Sequence, residues 1–171
     1  MARRAGAALT LALLLSPAVG NAAPELDALR VLDGAWDASL VSADGSVSHL
    51  HLVNRCGPVS GGYFCAQTVD GRPGASILYQ QGAEGWTTVL KSPDGASSQG
   101  RLTIAGAVWT YLSQDRAAWT RNTNTFSGRD HIHFQIETST DGGQTWTPGL
   151  SGDEVRSRPE WREDTDPSPR R

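Results

Sequence analysis

The chain has 171 residues, with 19 glycines, 9 prolines and a net charge of −3 from 15 basic and 18 acidic side chains. That length suits a single domain, and the acidic balance argues against nucleic acid or an anionic membrane surface as a partner. Only Lys91 among the basic residues is a lysine; this arginine bias is typical of GC-rich bacterial coding.

Residues 1–22 read as a secretory signal. Arg3 and Arg4 form a basic n-region, Ala7 to Leu15 an apolar run, and Gly20-Asn21-Ala22-Ala23 a small-residue cleavage site. The run is too short to span a bilayer. Ala5-Gly6-Ala7 lacks the bulky apolar residues of a twin-arginine leader, and no cysteine near the cleavage point offers a lipid anchor. The expectation is a Sec-type leader, a periplasmic or secreted location, and no membrane insertion once the leader is cleaved. Losing Arg3 and Arg4 with no acid moves the net charge from −3 to −5. A single β domain is expected over 23–158, and the Pro-rich, charge-dense stretch 159–171 reads as a disordered tail.

Pro24 to Leu32 is the one helix the pattern supports, with Leu26, Leu29 and Leu32 at three-residue spacing and Gly34 to stop it. Turn signals follow every 8 to 14 residues: Asp44-Gly45, Gly57-Pro58, Asp70-Gly71, Gly82 to Gly85, Asp94-Gly95, Ala105-Gly106, Gln114-Asp115, Ser127-Gly128 and Asp141-Gly142-Gly143. Between them lie strand-like runs at 35–41, 47–54, 63–69, 76–81, 86–90, 101–104, 108–113, 118–126, 131–138 and 146–150, with a resumption at 154–158. This predicts an all-β protein, an up-and-down (meander) antiparallel β-barrel of about 8–10 strands behind a short N-terminal helix, because closure removes the exposed edges that so many short strands would leave. Cys56 and Cys65 flank a Gly/Pro segment, so they are expected to face each other across a hairpin as a disulfide in an oxidising compartment. Such a bridge stabilises by about 2–3 kcal/mol.

Gly34-Ala35-Trp36, directly after the helix, resembles the G-x-W signature of lipocalins and the wider calycin barrels. In that family the helix plugs one end of the barrel and the Trp packs beneath it, often against an Arg from the last strands; Arg129, Arg156 or Arg158 would fill that part here. The block from Asn124 to Trp146, N-T-F-x-G-R-D … E-x-S-x-D-G-G-x-T-W, is similar to one in exported lipocalin-like (calycin-type) bacterial β-barrel proteins of unknown function. The resemblance is motif-specific over about 25 residues and implies a cup for a small hydrophobic ligand. Ser139 to Trp146 also resembles the Asp-box of sialidases, where the Asp and backbone amides hold a hairpin turn and the Trp anchors it in the core. A propeller needs several such copies, so Asp141 reads as a turn-former and not an acid.

All four histidines fall in two H-x-H pairs, His49-Leu50-His51 and His131-Ile132-His133. Residues i and i+2 of a strand share a face about 7 Å apart, near enough to converge on one ion. His131, His133 and Glu137, with His49 and His51, therefore make a chemically sensible set for zinc or another divalent transition metal. The spacing H-x-H-x3-E resembles the first half of the cupin metal motif, although no His follows His133 to complete it. Against a metal stands parity: Leu50, Leu52, Ile132, Phe134 and Ile136 would fill the barrel and turn every His to solvent, since exposing them instead costs roughly 1.5–3 kcal/mol per large side chain.

Trp36, Trp109, Trp119 and Trp146 sit in or beside strand runs and read as core, Trp36, Trp109 and Trp119 being candidates to line a ligand cavity. Trp86, after Gly85, is expected at the barrel mouth as a fourth such candidate. The sequence holds no G-x-S-x-G elbow, no phosphate-cradling loop and no C-x2-C knuckle, so catalysis finds no positive support. The leading expectation is a non-catalytic exported barrel, without a cofactor, that binds a small hydrophobic ligand. Two alternatives stand: a metal-dependent enzyme or metal-binding protein on the H-x-H…E strand, and a structural or interaction module of the cell envelope. Nothing in the sequence fixes the oligomeric state.

Overall fold

The computed structural model describes residues 26–82, 85–115 and 118–157. The leader, Pro24, Arg158 and the tail with Trp161 lie outside the described residues. Ten antiparallel strands follow one another around a closed barrel: β1 (Gly34–Val41), β2 (Val47–Val59), β3 (Gly62–Val69), β4 (Arg72–Gly82), β5 (Gly85–Lys91), β6 (Ser97–Ala105), β7 (Val108–Asp115), β8 (Ala118–Phe126), β9 (His131–Ser139) and β10 (Thr147–Arg156). β1 pairs with both β2 and β10, so no strand edge is left open.

The helix is a 3₁₀ helix, Leu26–Leu32, with Leu29 and Leu32 buried. Its three-residue leucine spacing matches three residues per turn, which stacks the apolar side chains on one line. That line plugs one end of the barrel. Leu29 and Leu32 pack there with Tyr63, Cys65, Tyr79, Trp86, Leu102 and Trp109, while Trp36, Ala38, Leu52 and Ile132 form a second cluster.

Two expected turns are strand, and two expected strand runs are one. Gly57 and Pro58 belong to β2, and the β2–β3 hairpin turns at Ser60-Gly61, where Gly61 supplies the required positive φ of 81°. Pro58 is tolerated because β1 stops pairing at Asn54, so its missing N–H faces no strand partner. Two residues earlier the same side of β2 is closed by Asp33, whose carboxylate accepts the Cys56 N–H at 2.8 Å. Gln114 and Asp115 likewise belong to β7. The last two strand runs are one strand, β10, with an irregular register between Pro148 and Ser151, and Trp146 precedes it. Cys56 and Cys65 sit directly opposite each other on β2 and β3 and are disulfide-bonded, with Cα atoms 4.1 Å apart.

Arg156 closes the plugged end. Its guanidinium lies 4.2 Å from the centre of the Trp36 ring. It also donates to the carbonyls of Val31 (2.8 Å), Asp33 (2.8 Å) and Arg129, and to the Asp130 carboxylate. Gly34 makes this possible: a Cβ there would stand 2.5 Å from the Arg156 Nη1, and its φ of 122° is one that side-chain-bearing residues avoid. The G-x-W element is thus a geometric unit, with Gly34 clearing space for the cation that covers Trp36.

Candidate functional site: the barrel lumen

Beyond the helix, whose Leu32 forms its floor, the barrel interior holds a cavity of about 360 Å³. Alternation brings Ile77 and Tyr79 from β4, Thr88 and Leu90 from β5, Tyr111 and Ser113 from β7, Asn122 and Asn124 from β8, Ile136 from β9 and Glu154 from β10 to its wall. The lining is therefore mixed, with apolar side chains set among amides, hydroxyls and one carboxyl. Tyr79 and Tyr111 meet edge to face at 6.4 Å, their hydroxyls 3.5 Å apart. Burial raises both phenols, Tyr111 to about 12.

The two sides of this wall differ in how their polar groups are held. Toward β2 and β3, Asn54 donates to the Leu32 carbonyl (3.1 Å) and Gln67 donates to Asn54 (3.2 Å). Toward β8 and β10, the side-chain carbonyls of Asn122 and Asn124 are buried without a donor. Glu154 has no hydrogen-bond or ion-pair partner among the described residues, and burial alone raises its carboxyl above the ordinary range.

The tryptophans proposed as ligand contacts lie elsewhere. Trp36, Trp86 and Trp109 are buried in the plugged end and do not line the cavity. Trp86 is thus core and not at a mouth, because its even parity on β5 points it inward beside Leu102. Trp119 faces outward, into a surface groove of about 510 Å³ shared with Gln80, Val89 and Leu112. That groove is made chiefly of side chains from the outer face of one sheet, so it would bury a ligand on one side only. Trp146 is half-buried outside the barrel, under Arg121 at 4.2 Å from its ring centre. Trp146 is thus not core, because β10 begins only at Thr147 and leaves its ring outside the barrel; in the turn before it, Asp141 accepts from the Thr145 hydroxyl and from the Thr145 and Gln144 amides, which hold its carboxyl well below the usual range.

The histidines stand outside the barrel. Ile132 and Phe134 are buried, whereas the His131 and His133 side chains are 41% and 54% exposed. Register explains a juxtaposition invisible in sequence. β9, β10, β1 and β2 are neighbours, so all four histidines share one outer surface, with Asp153 and Asp37 between the pairs. His131 Nε2 and His133 Nδ1 lie 3.0 and 3.1 Å from one Asp153 oxygen, His51 lies 2.8 Å from Asp37, and His49 lies 3.0 Å from the Ser39 hydroxyl. These contacts hold the Asp153 and Asp37 carboxyls below their ordinary range. Glu137 does not join His131 and His133. It pairs instead with Arg121 at 2.7 Å, the cross-strand partner that register places opposite it. Among the described residues no group of three or more His, Cys, Asp or Glu is disposed to hold a metal ion.

The residue that composition and spacing missed is Glu154. Between Pro148 and Ser151, β10 carries one residue more than β9, which flips the inward parity part-way along the strand. Strict alternation from the outward Trp146 would turn Asp153 inward and Glu154 outward, the reverse of what the structure shows. Pairing back from the inward Ile132, which faces Glu154 across the β9–β10 ladder, would have found it.

The sequence matches no protein-family model and no curated protein. Among solved structures it is similar to Rv2717c from M. tuberculosis, with a TM-score of 0.50 and 17% identity over 80% of this chain and 99% of that one. A second similar structure is the S-type phycobiliprotein lyase CPES from Guillardia theta, at a TM-score of 0.49 and 12% identity over 77% of this chain and 92% of that one. At this level of identity the likeness is one of fold alone. The disulfide suits a non-cytoplasmic compartment, and no described helix is long and apolar enough to cross a membrane.

Proposed function

We propose that this protein is an exported, non-catalytic binding barrel that takes one small molecule into its lumen. The observation that carries the reading is the cavity of about 360 Å³, which falls within the range of roughly 300–1,000 Å³ typical of small-molecule sites. Its location supports the same reading: the helix and the Arg156–Trp36 stack secure one end, leaving the lumen preformed at the other. A preformed cup binds by desolvation, the body of the ligand lying on Ile77, Leu90 and Ile136. Catalysis has no support in the lining, which offers no nucleophile paired with a base.

A tryptophan-fluorescence screen of the full chain against lipids, retinoids and aromatic metabolites tests the proposal. The expected result is a saturable binder of one-to-one stoichiometry whose binding is lost in Ser113→Phe, which fills the lumen. A chain that folds and binds nothing saturably, or a binder indifferent to Ser113→Phe, contradicts it.

A further inference from the structure

We propose that the lumen selects a small amphipathic cation, its nitrogen head held by the Glu154 carboxylate with the Asn122 and Asn124 carbonyls nearby, and its apolar body set against Ile77, Leu90 and Ile136. This deepens the lumen-binding reading and rests on it. Three observations converge on a donor-rich, positively charged head. First, the buried wall atoms left without a partner are two amide carbonyl oxygens, those of Asn122 and Asn124, and Glu154 adds a carboxyl with no hydrogen-bond or ion-pair partner among the described residues. Leaving buried acceptors unpaired is unfavourable, so a ligand that brings donors gains more here than one that brings acceptors. Second, the polar groups of the opposite side, Asn54 and Gln67, are already tied to each other and to the Leu32 carbonyl, which leaves the β8–β10 side as the place of recognition. Third, Glu154 is the one charged residue lining the cavity, and no described basic side chain joins it there. A carboxylate in a low-dielectric wall attracts a cation and repels an anion far more strongly than the same charge on the surface. Its neighbours in register are Ala38 and Ile132, which cannot hydrogen-bond its side chain.

The test is isothermal titration calorimetry of the full chain with three probes that share an apolar body: naphthylmethylamine, naphthylmethanol and naphthylacetate. The amine is expected to bind about tenfold more tightly than the alcohol, the scale of one charge-assisted hydrogen bond, with the acetate weakest. Glu154→Gln should erase that preference, while Asp153→Asn, which removes a carboxylate from the outer face, should keep it. Unfolding midpoints of both variants establish that they fold. The head-group assignment is overturned if the alcohol or the acetate binds as tightly as the amine, if Glu154→Gln keeps the preference, or if Asp153→Asn also loses it. In each of those cases lumen binding itself still stands. If none of the three probes binds wild-type protein, the lumen-binding reading falls, and the head-group assignment falls with it.

Discussion

The two halves of the barrel interior are built from one alternating strand pattern, yet they are chemically opposite. In the helix end, Leu29, Trp36, Trp86 and Trp109 are nearly inaccessible to solvent, and Arg156, the strong cation there, is engaged by four carbonyl or carboxylate groups and the Trp36 face. In the other end, the inward positions carry Thr88, Ser113, Asn122, Asn124 and Glu154 around open space. The first half resembles a domain core; the second forgoes that packing. The difference indicates that stability is concentrated at the plug and recognition at the lumen, as expected when binding residues are held by a rigid scaffold.

The comparison can be broken by mutation, with effects that should decline from the plug outward. Trp36→Ala should destabilise most, by about 3–5 kcal/mol in denaturant unfolding. Arg156→Ala should follow at about 2 kcal/mol or more, because it leaves the Val31 and Asp33 carbonyls without their donor. Reducing Cys56–Cys65 should lower stability by about 2–3 kcal/mol, read as a shift in midpoint with and without reductant. A change in the lumen should act with the opposite sign. Glu154→Leu should stabilise the barrel by about 1 kcal/mol, because it removes a buried carboxyl without a partner, and should abolish amine binding. Its pH dependence follows from the direction of the shift. A carboxyl whose folded value is raised takes up a proton on folding, so wild-type stability should fall as pH rises from the ordinary carboxylate range through the raised one, and Glu154→Leu should lack that fall. Smallest of all, His131→Ala with His133→Ala should change stability by less than about 1 kcal/mol at neutral pH, since both imidazoles and Asp153 are solvent-exposed. The same double variant, analysed for bound metal, tests the alternative reading: stoichiometric metal in wild type that the variant loses would revive it.

Much of the architecture was legible in the sequence because it depends on local chemistry. Turns need Gly or Asp at fixed places, and strands alternate, so the strand number and closure of the barrel could be read directly. The G-x-W element was legible for the same reason, and its partner arginine is Arg156. What could not be read was anything that depends on register between strands. Gly57-Pro58 looks like a turn until β1 is known to stop opposite Asn54. His49, His51, His131 and His133 are two separate pairs in the chain and one surface in the fold, joined only because β10 closes on β1. Tryptophans suggest a ligand site on size alone, but they went to the plug, where large rings bury most area. Which of Asp153 and Glu154 faces the lumen also depends on register, because one extra residue between Pro148 and Ser151 reverses the inward side of β10.

The most direct test of the division between plug and lumen is an isotope-edited NMR experiment on methyl-labelled protein with bound naphthylmethylamine. Intermolecular NOEs from the probe to the Ile77, Leu90 and Ile136 methyl groups are the predicted result. NOEs confined to the Val89 methyl groups in the outer groove beside Trp119, with none to Ile77, Leu90 or Ile136, would contradict it.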